Sequence, residues 1–253
     1  MDTTKLKARM NDKAEEMNAP APFENPFTAL SASYAALNSN ALSVIRENLK
    51  NQPMSLDLFD VVKSPSGGST VFSMPGLTGD EAEKELTGII LDYTTPRAYW
   101  DTPDPVEGTP PACLSQNSII STDGKACATC PYNDFGSKNG ESNAKACKES
   151  VLLFLLRPQN VLPLLVRVPV TSKARFLKYA ARLAGSMTAM SGVVTKITLE
   201  RATSKGGKPY ALFRFEAVGL LSNEDAAHAR AYARQFMEIV NAADALPELD
   251  AAS

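Results

Sequence analysis

Apolar and polar positions alternate with different periods along this chain, and the changes of period mark its elements. From about Thr28 to Lys50, Leu30, Tyr34, Leu37, Ala41, Ile45 and Leu49 recur at three- and four-residue steps, which predicts one amphipathic helix. Ahead of it, residues 2–17 read as a charged arm. Asn18-Ala-Pro-Ala-Pro-Phe-Glu-Asn-Pro26, with three prolines, reads as a linker. Strand character begins near Leu56: Leu56–Lys63 and Thr70–Met74 flank the turn-rich Ser64-Pro-Ser-Gly-Gly-Ser69 and predict a hairpin. That loop lacks the Gly-Lys-Ser/Thr ending of a phosphate-binding P-loop. Leu86–Tyr93 is a further strand. The proline-rich segment from Thr94 to Ala112 follows as an irregular lead-in, with Trp100 as a local anchor.

Beyond residue 150 the pattern becomes regular. Val151–Leu156 is a continuous apolar run, expected of a strand covered on both faces, and Leu162–Val170 is its partner. Ser172 is placed to cap a helix running to about Met187. Phe176, Ala180, Leu183, Ala184 and Met187 form its inner face, with Arg175, Lys178 and Arg182 nearly opposite. Val193–Arg201 and Pro209–Gly219 form a hairpin around Ser204-Lys-Gly-Gly-Lys208. In its second strand Ala211, Phe213 and Phe215 point one way, and Tyr210, Leu212 and Arg214 the other. Ser222-Asn-Glu-Asp225 approximates a capping box for a closing helix with Ala229, Tyr232, Ala233, Phe236 and Val240 inward, before a tail at 245–253.

Composition adds little until it is read locally. The 253 residues are 44% hydrophobic with a formal net charge of −2, ordinary for a globular protein. Residues 151–214, however, hold eleven basic side chains against one acid, Glu200, whereas residues 76–111 hold eight acids against Lys84 and Arg97. Such asymmetry points to a polyanion-binding surface with acidic flanks. The N-terminus has no apolar core of a secretory signal, and the longest apolar run is far too short to span a bilayer. The expectation is a cytoplasmic protein without membrane association. With one histidine, His228, and no catalytic constellation, the chain does not read as an enzyme. A nuclease built on Asp57, Asp60 and Asp92 is the enzymatic alternative.

The four cysteines, Cys113, Cys127, Cys130 and Cys147, lie within one 35-residue stretch in the order Cys-x13-Cys-x2-Cys-x16-Cys. A two-residue spacer turns two thiolates toward one point, and the longer loops can bring the outer pair around. A loop of this length cannot offset its chain entropy by burial alone and needs a staple. Structural zinc is the expected cofactor. An iron–sulfur cluster takes the same ligands, and disulfides, free thiols or a redox Cys-x-x-Cys are the other readings.

Cys127-Ala-Thr-Cys-Pro-Tyr-Asn-Asp-Phe-Gly-Ser137, Ala144-Lys-Ala-Cys-Lys-Glu149, Leu152-Leu-Phe-Leu-Leu156 and Val168-Pro-Val-Thr-Ser172 resemble a family of bacteriophage and prophage proteins, over about residues 113–200. Some of these are treated as single-stranded DNA-binding proteins. The arrangement also resembles the zinc-containing helix-destabilising proteins of large phages, in which a zinc subdomain is inserted between strands of an OB barrel. This chain departs from them in having four cysteines and no histidine ligand. The resemblance implies an α+β fold: an OB-like β-barrel over 51–221 with a four-cysteine zinc insertion at about 100–150. Residues 1–26 would be an arm and linker, 27–50 a helix, and 222–253 a closing helix and short tail.

The implied function is sequence-tolerant single-stranded DNA binding in phage replication or recombination, in the cytoplasm of a bacterial host. OB folds bind through a basic groove with aromatic platforms. The candidates here are Arg175, Lys178, Arg182, Lys196, Arg201, Lys205, Lys208, Tyr210 and Arg214, with Tyr132, Lys138 and Lys145 beside the cysteines. The alternative is a phage interaction protein that binds a host polymerase or another replication component through its zinc knot and acidic flanks. A homo-oligomer stays open.

Overall fold

Val151–Leu156, the continuous apolar run, lies in the middle of a curled sheet and alternates between two cores. Val151, Leu153 and Leu155 face one cluster; Leu152, Phe154 and Leu156 face the other. The computed structural model describes residues 41–50, 56–102, 109–138, 143–158, 160–204 and 206–241. The expected arm and linker at 1–26, the helix over 27–40, the tail at 242–253 and Lys205 lie outside the described residues.

Three helices and ten strands are described: α1 Ala41–Leu49, β1 Val61–Val62, β2 Phe72–Met74, β3 Glu81–Glu83, β4 Glu85–Thr94, β5 Arg97–Tyr99, β6 Cys113–Ser115, β7 Lys148–Leu156, β8 Leu164–Pro169, α2 Val170–Gly185, β9 Val193–Thr203, β10 Pro209–Leu220 and α3 Asn223–Asn241. The main path of the sheet is β1-β8-β7-β4-β9-β10, and the fold is mixed α+β with the sheet curled into a half-barrel. Among the described residues no helix is long and apolar enough to cross a membrane.

Strand β4 makes the curl. Its first half, Glu85–Ile89, pairs with β9, and its second half, Ile89–Thr94, pairs with β7, with a register shift between Ile90 and Asp92. Such a bulge bends a strand and raises its twist. Gly88 sits at the bend, where a Cβ would stand 2.4 Å from the carbonyl oxygen of Leu156; only glycine lets the two backbones approach so closely.

One face of the sheet packs on α2, burying Phe176 and Tyr179 against Leu86, Ile90, Leu153, Ile197 and Phe213. The other packs on α3, where Phe236 meets Phe154 and Phe59 edge-on at 5.8 and 5.5 Å. Each fully buried side chain of this size contributes about 1.5–3 kcal/mol of transfer free energy. Ser222 opens α3, accepting from the Asp225 N–H at 3.1 Å and donating to its carboxylate at 2.8 Å. Both strands of the expected terminal hairpin are present, two residues longer and one residue longer at their C-terminal ends.

Two expectations need correction. Leu56–Lys63 and Thr70–Met74 do not form a hairpin. Leu56–Leu58 is a single 3-10 turn, Val61–Val62 runs parallel to β8, and β2 pairs with β3 instead. The intervening Ser66–Gly68 does not reverse the chain into a strand pair. Gly67 and Gly68 take φ of 64° and 71°, and Gly68 seats against the base of β10, where a Cβ would stand 3.0 Å from Pro209 Cβ.

The second correction concerns α2, which starts at Val170, two residues before Ser172. No side-chain cap closes its N-terminus. Ser172 is instead buried and accepts the Phe213 N–H at 3.0 Å, satisfying an edge-strand amide of β10. Ala184 and Met187, expected inward, are exposed, because the buried stripe runs through Ser172, Phe176 and Tyr179.

Candidate nucleic-acid interface and cysteine pocket

The segment between β4 and β7 is docked on the sheet by β5, which pairs with β6 on one side and with the first residues of β7 on the other. This pairing places Cys113 at the start of β6, opposite Tyr99, and Cys147 just ahead of β7. Cys127 and Cys130 bracket a 3-10 turn, tied by the Cys130 N–H to the Cys127 carbonyl at 3.4 Å. Two further backbone bonds hold the loop together: the Cys127 N–H to Ile119 and the Cys147 N–H to Tyr132, both at 2.8 Å.

All four cysteines line one cavity of about 500 Å³, and none forms a disulfide. Burial pushes the Cys147 thiol up to about 11, opposed by the Arg97 guanidinium; burial also raises Cys113, with Asp123 adding to it. Four thiols around one cavity are a donor set that suits a soft or borderline cation. As the side chains stand, no group of three or more Cys, His, Asp or Glu among the described residues is arranged to hold a metal ion.

A polar network joins this loop to the sheet and to α2. Asn133 donates to the Cys127 carbonyl at 3.0 Å, while its Oδ1 accepts from Arg97 and, at 3.0 Å, from Lys145 Nζ. Glu149 of β7 then bridges Arg97, at 3.2 Å, to Lys173 of α2. Lys145 is thus engaged inward and lies 4.5 Å from the centroid of the Phe135 ring, which is itself exposed. Tyr132 stacks on Tyr99 with centroids 3.8 Å apart and an interplanar angle of 13°. Lys138 is exposed. Trp100 is buried, donating to the Thr109 carbonyl at 2.8 Å, and anchors the lead-in locally.

Strand register sorts the basic residues of the hairpin. Lys196 opposes Glu216, Thr198 opposes Arg214, Glu200 opposes Leu212, and Ala202 opposes Tyr210; these positions share one face. Arg201 opposes Ala211 on the other face, its stem lying against the turn at Gly68. Lys208 is exposed next to the connecting turn. On α2, Arg175, Lys178 and Arg182 form one row that immediately flanks the buried stripe instead of lying opposite it. The row's first member reaches β9: Arg175 binds one oxygen of Glu200 at 2.6 Å, and Arg214 binds the other at 2.6 Å. These two cations hold the Glu200 carboxyl below the usual carboxylate range. Lys196 pairs with Glu216 at 3.6 Å. Among the described residues, no ion pair involves Lys178, Arg182, Arg201 or Lys208.

The structure therefore puts Lys196, Tyr210 and Arg214 on one face of the hairpin, ties Arg175 of α2 to that face through Glu200 with Lys178 and Arg182 following it along the helix, places Arg201 on the hairpin's other face, and keeps Tyr132, Lys138 and Lys145 with the cysteines. Sequence reading missed Arg97, Asn133 and Glu149 as parts of the network and Tyr99 as the stacking partner of Tyr132, since the links from Arg97 to Asn133, from Glu149 to Arg97 and from Tyr99 to Tyr132 each span more than thirty residues. Glu200 carried a signal: it is the lone acid in a basic stretch. Comparisons with protein-family models, curated proteins and solved structures found nothing that matches this chain.

Proposed function

We propose that this chain is a sequence-tolerant single-stranded DNA-binding protein of phage type, acting in replication or recombination, built on an OB-like barrel with a structural zinc. The reading is carried by the strand order β8-β7-β4-β9-β10 with α2 joining β8 to β9. Taken from β4 onward, that is the order of a five-stranded Greek-key OB barrel, with the cysteine segment between its first two strands and the Ser204–Lys208 turn between its last two. In OB folds those two loops flank the oligonucleotide groove.

Support also comes from the chemistry of the outer hairpin face. Tyr210 offers a half-exposed ring and Arg214 a guanidinium, with Arg175 of α2 joined to this face through Glu200. Cations track phosphates and rings accept bases, without reading sequence. Hydrogen exchange with and without an oligothymidine tests this placement. The reading expects protection over 172–182 and 196–216, and protection confined to other segments would oppose it.

Cys113, Cys127, Cys130 and Cys147 would hold the zinc, whose contribution is to fix the loop. One zinc per chain by elemental analysis, with a thiolate-to-metal charge-transfer band on cobalt substitution, is the expected result. A metal-free protein with unchanged folding would contradict it.

A second reading rests on exposed apolar side chains in the cysteine segment, Ile119, Ile120 and Phe135. Together with the acidic β3–β4 region they suit a protein partner, such as a phage or host replication component. Nuclease-insensitive capture of one such protein, without DNA affinity, would favour it.

A further inference from the structure

The Arg175–Glu200–Arg214 cluster differs from an ordinary surface ion pair in its geometry. Three elements, α2, β9 and β10, converge so that two guanidiniums take the two oxygens of one carboxylate, each at 2.6 Å. The group stays open to solvent, with Glu200 at 38%, Arg175 at 42% and Arg214 at 63% side-chain exposure. A carboxylate between two arginines presents the same pair of anionic oxygens as a phosphodiester, and guanidiniums bind both through parallel N–H donors.

Neither arginine is fixed by this contact alone. Arg214 stands on a twelve-residue strand and Arg175 on a sixteen-residue helix, each packed in the core on its other side. Glu200 can swing away without dismantling the fold. Lys178 and Arg182 then continue the line of positive charge along α2 for about 10 Å at 1.5 Å per residue.

We propose that Arg175 and Arg214 form a phosphodiester seat that Glu200 occupies in the free protein as an internal competitor, so that nucleic acid binds by displacing its carboxylate. This rests on the single-stranded DNA reading above, and deepens it by naming where one phosphate sits and what holds the seat meanwhile.

The test compares wild type, Glu200→Gln and Arg214→Ala by anisotropy with a labelled oligothymidine, with circular dichroism to verify folding. In parallel, Arg Nε–Hε signals are followed by NMR as inorganic phosphate is added. Glu200→Gln should tighten oligonucleotide binding about two- to fivefold, the scale of an exposed ion pair. Arg214→Ala should weaken it and lower the salt slope by about 0.7. Phosphate should shift the Arg175 and Arg214 signals at lower concentration in Glu200→Gln.

Oligonucleotide binding that Glu200→Gln leaves unchanged or weakens, in a folded protein, overturns the seat and leaves the DNA reading standing. If Glu200→Gln does not fold, Arg214→Ala and the wild-type phosphate titration decide: an unchanged slope without shifts at the two arginines overturns it. Phosphate-induced shifts without oligonucleotide binding would keep an anion seat and reject the DNA reading. The absence of both rejects both.

Discussion

Tyr179 illustrates how single polar groups are placed in this core. Its hydroxyl meets Thr195 Oγ1 at 2.7 Å inside the α2-facing cluster, and Thr195 is fully buried. Burial raises the phenol, an effect that the bond to Thr195 opposes. Tyr179→Phe should cost about 1–3 kcal/mol, because the threonine hydroxyl is left without its partner; chemical denaturation measures it. Replacing both residues by Phe and Val should cost less than the sum of the single changes.

Glu200 offers a residue-level test of a different kind. Its carboxyl is depressed below the ordinary range by Arg175 first and Arg214 next. A depressed acid contributes stability that is present above its unfolded value and lost as pH falls through the folded one. NMR titration should therefore find its midpoint below that of a free glutamate, moving up toward it in Arg214→Ala. A midpoint at the ordinary value in wild type would contradict the cluster.

At the scale of elements, closure of the half-barrel depends on two devices. Ser172 satisfies the Phe213 amide across the gap between α2 and the edge strand β10, with both residues buried. Ser172→Ala should cost about 1–3 kcal/mol, the penalty for a buried N–H without a partner, and should raise hydrogen exchange at Phe213 first. Gly88 is the other device. Its Cβ in Gly88→Ala would meet Leu156 oxygen at 2.4 Å and Leu155 side-chain carbons at 3.0 and 3.1 Å, so the strand must shift. The cost should be about 1–3 kcal/mol by thermal or denaturant melting.

Elements with strong periodicity were legible in the sequence. The run Val151–Leu156, the 193–220 hairpin and the capping serine of α3 are local signals, and the structure places them within a few residues of expectation. The early hairpin was not legible, since β1 and β8 pair across about a hundred residues of chain. Nor was the role of Ser172, because a serine near a helix start looks the same in sequence whether it caps the helix or bonds a distant strand from its first turn.

At the scale of the whole molecule, the local excess of positive charge was legible but its distribution was not. Sequence counts eleven cations against Glu200 in 151–214. In three dimensions Glu83, Glu149 and Glu216 come from outside that window to pair with Arg157, Lys173 and Lys196. Arg201 turns to the other face. What remains is a narrower set: Arg214 and Tyr210 on one hairpin face, Arg175 joined to them through Glu200 at the start of the α2 row, and Lys208 at the hairpin turn. The cysteines were legible as a set because their spacing is local, and all four line one cavity. The network from Asn133 through Arg97 and Glu149 to Lys173 was hidden, and it links that cavity to the helix carrying the basic row.

The most direct measurement is fluorescence anisotropy of the full chain with labelled single-stranded and duplex oligonucleotides of the same sequence over a series of salt concentrations. If Arg175, Lys178, Arg182, Lys208 and Arg214 each neutralise one phosphate, single strands should bind more tightly than duplex. The logarithm of affinity should then fall with that of salt at a slope of about −3.5. A folded, zinc-loaded protein that binds neither oligonucleotide at low salt, or that prefers duplex, would contradict the account.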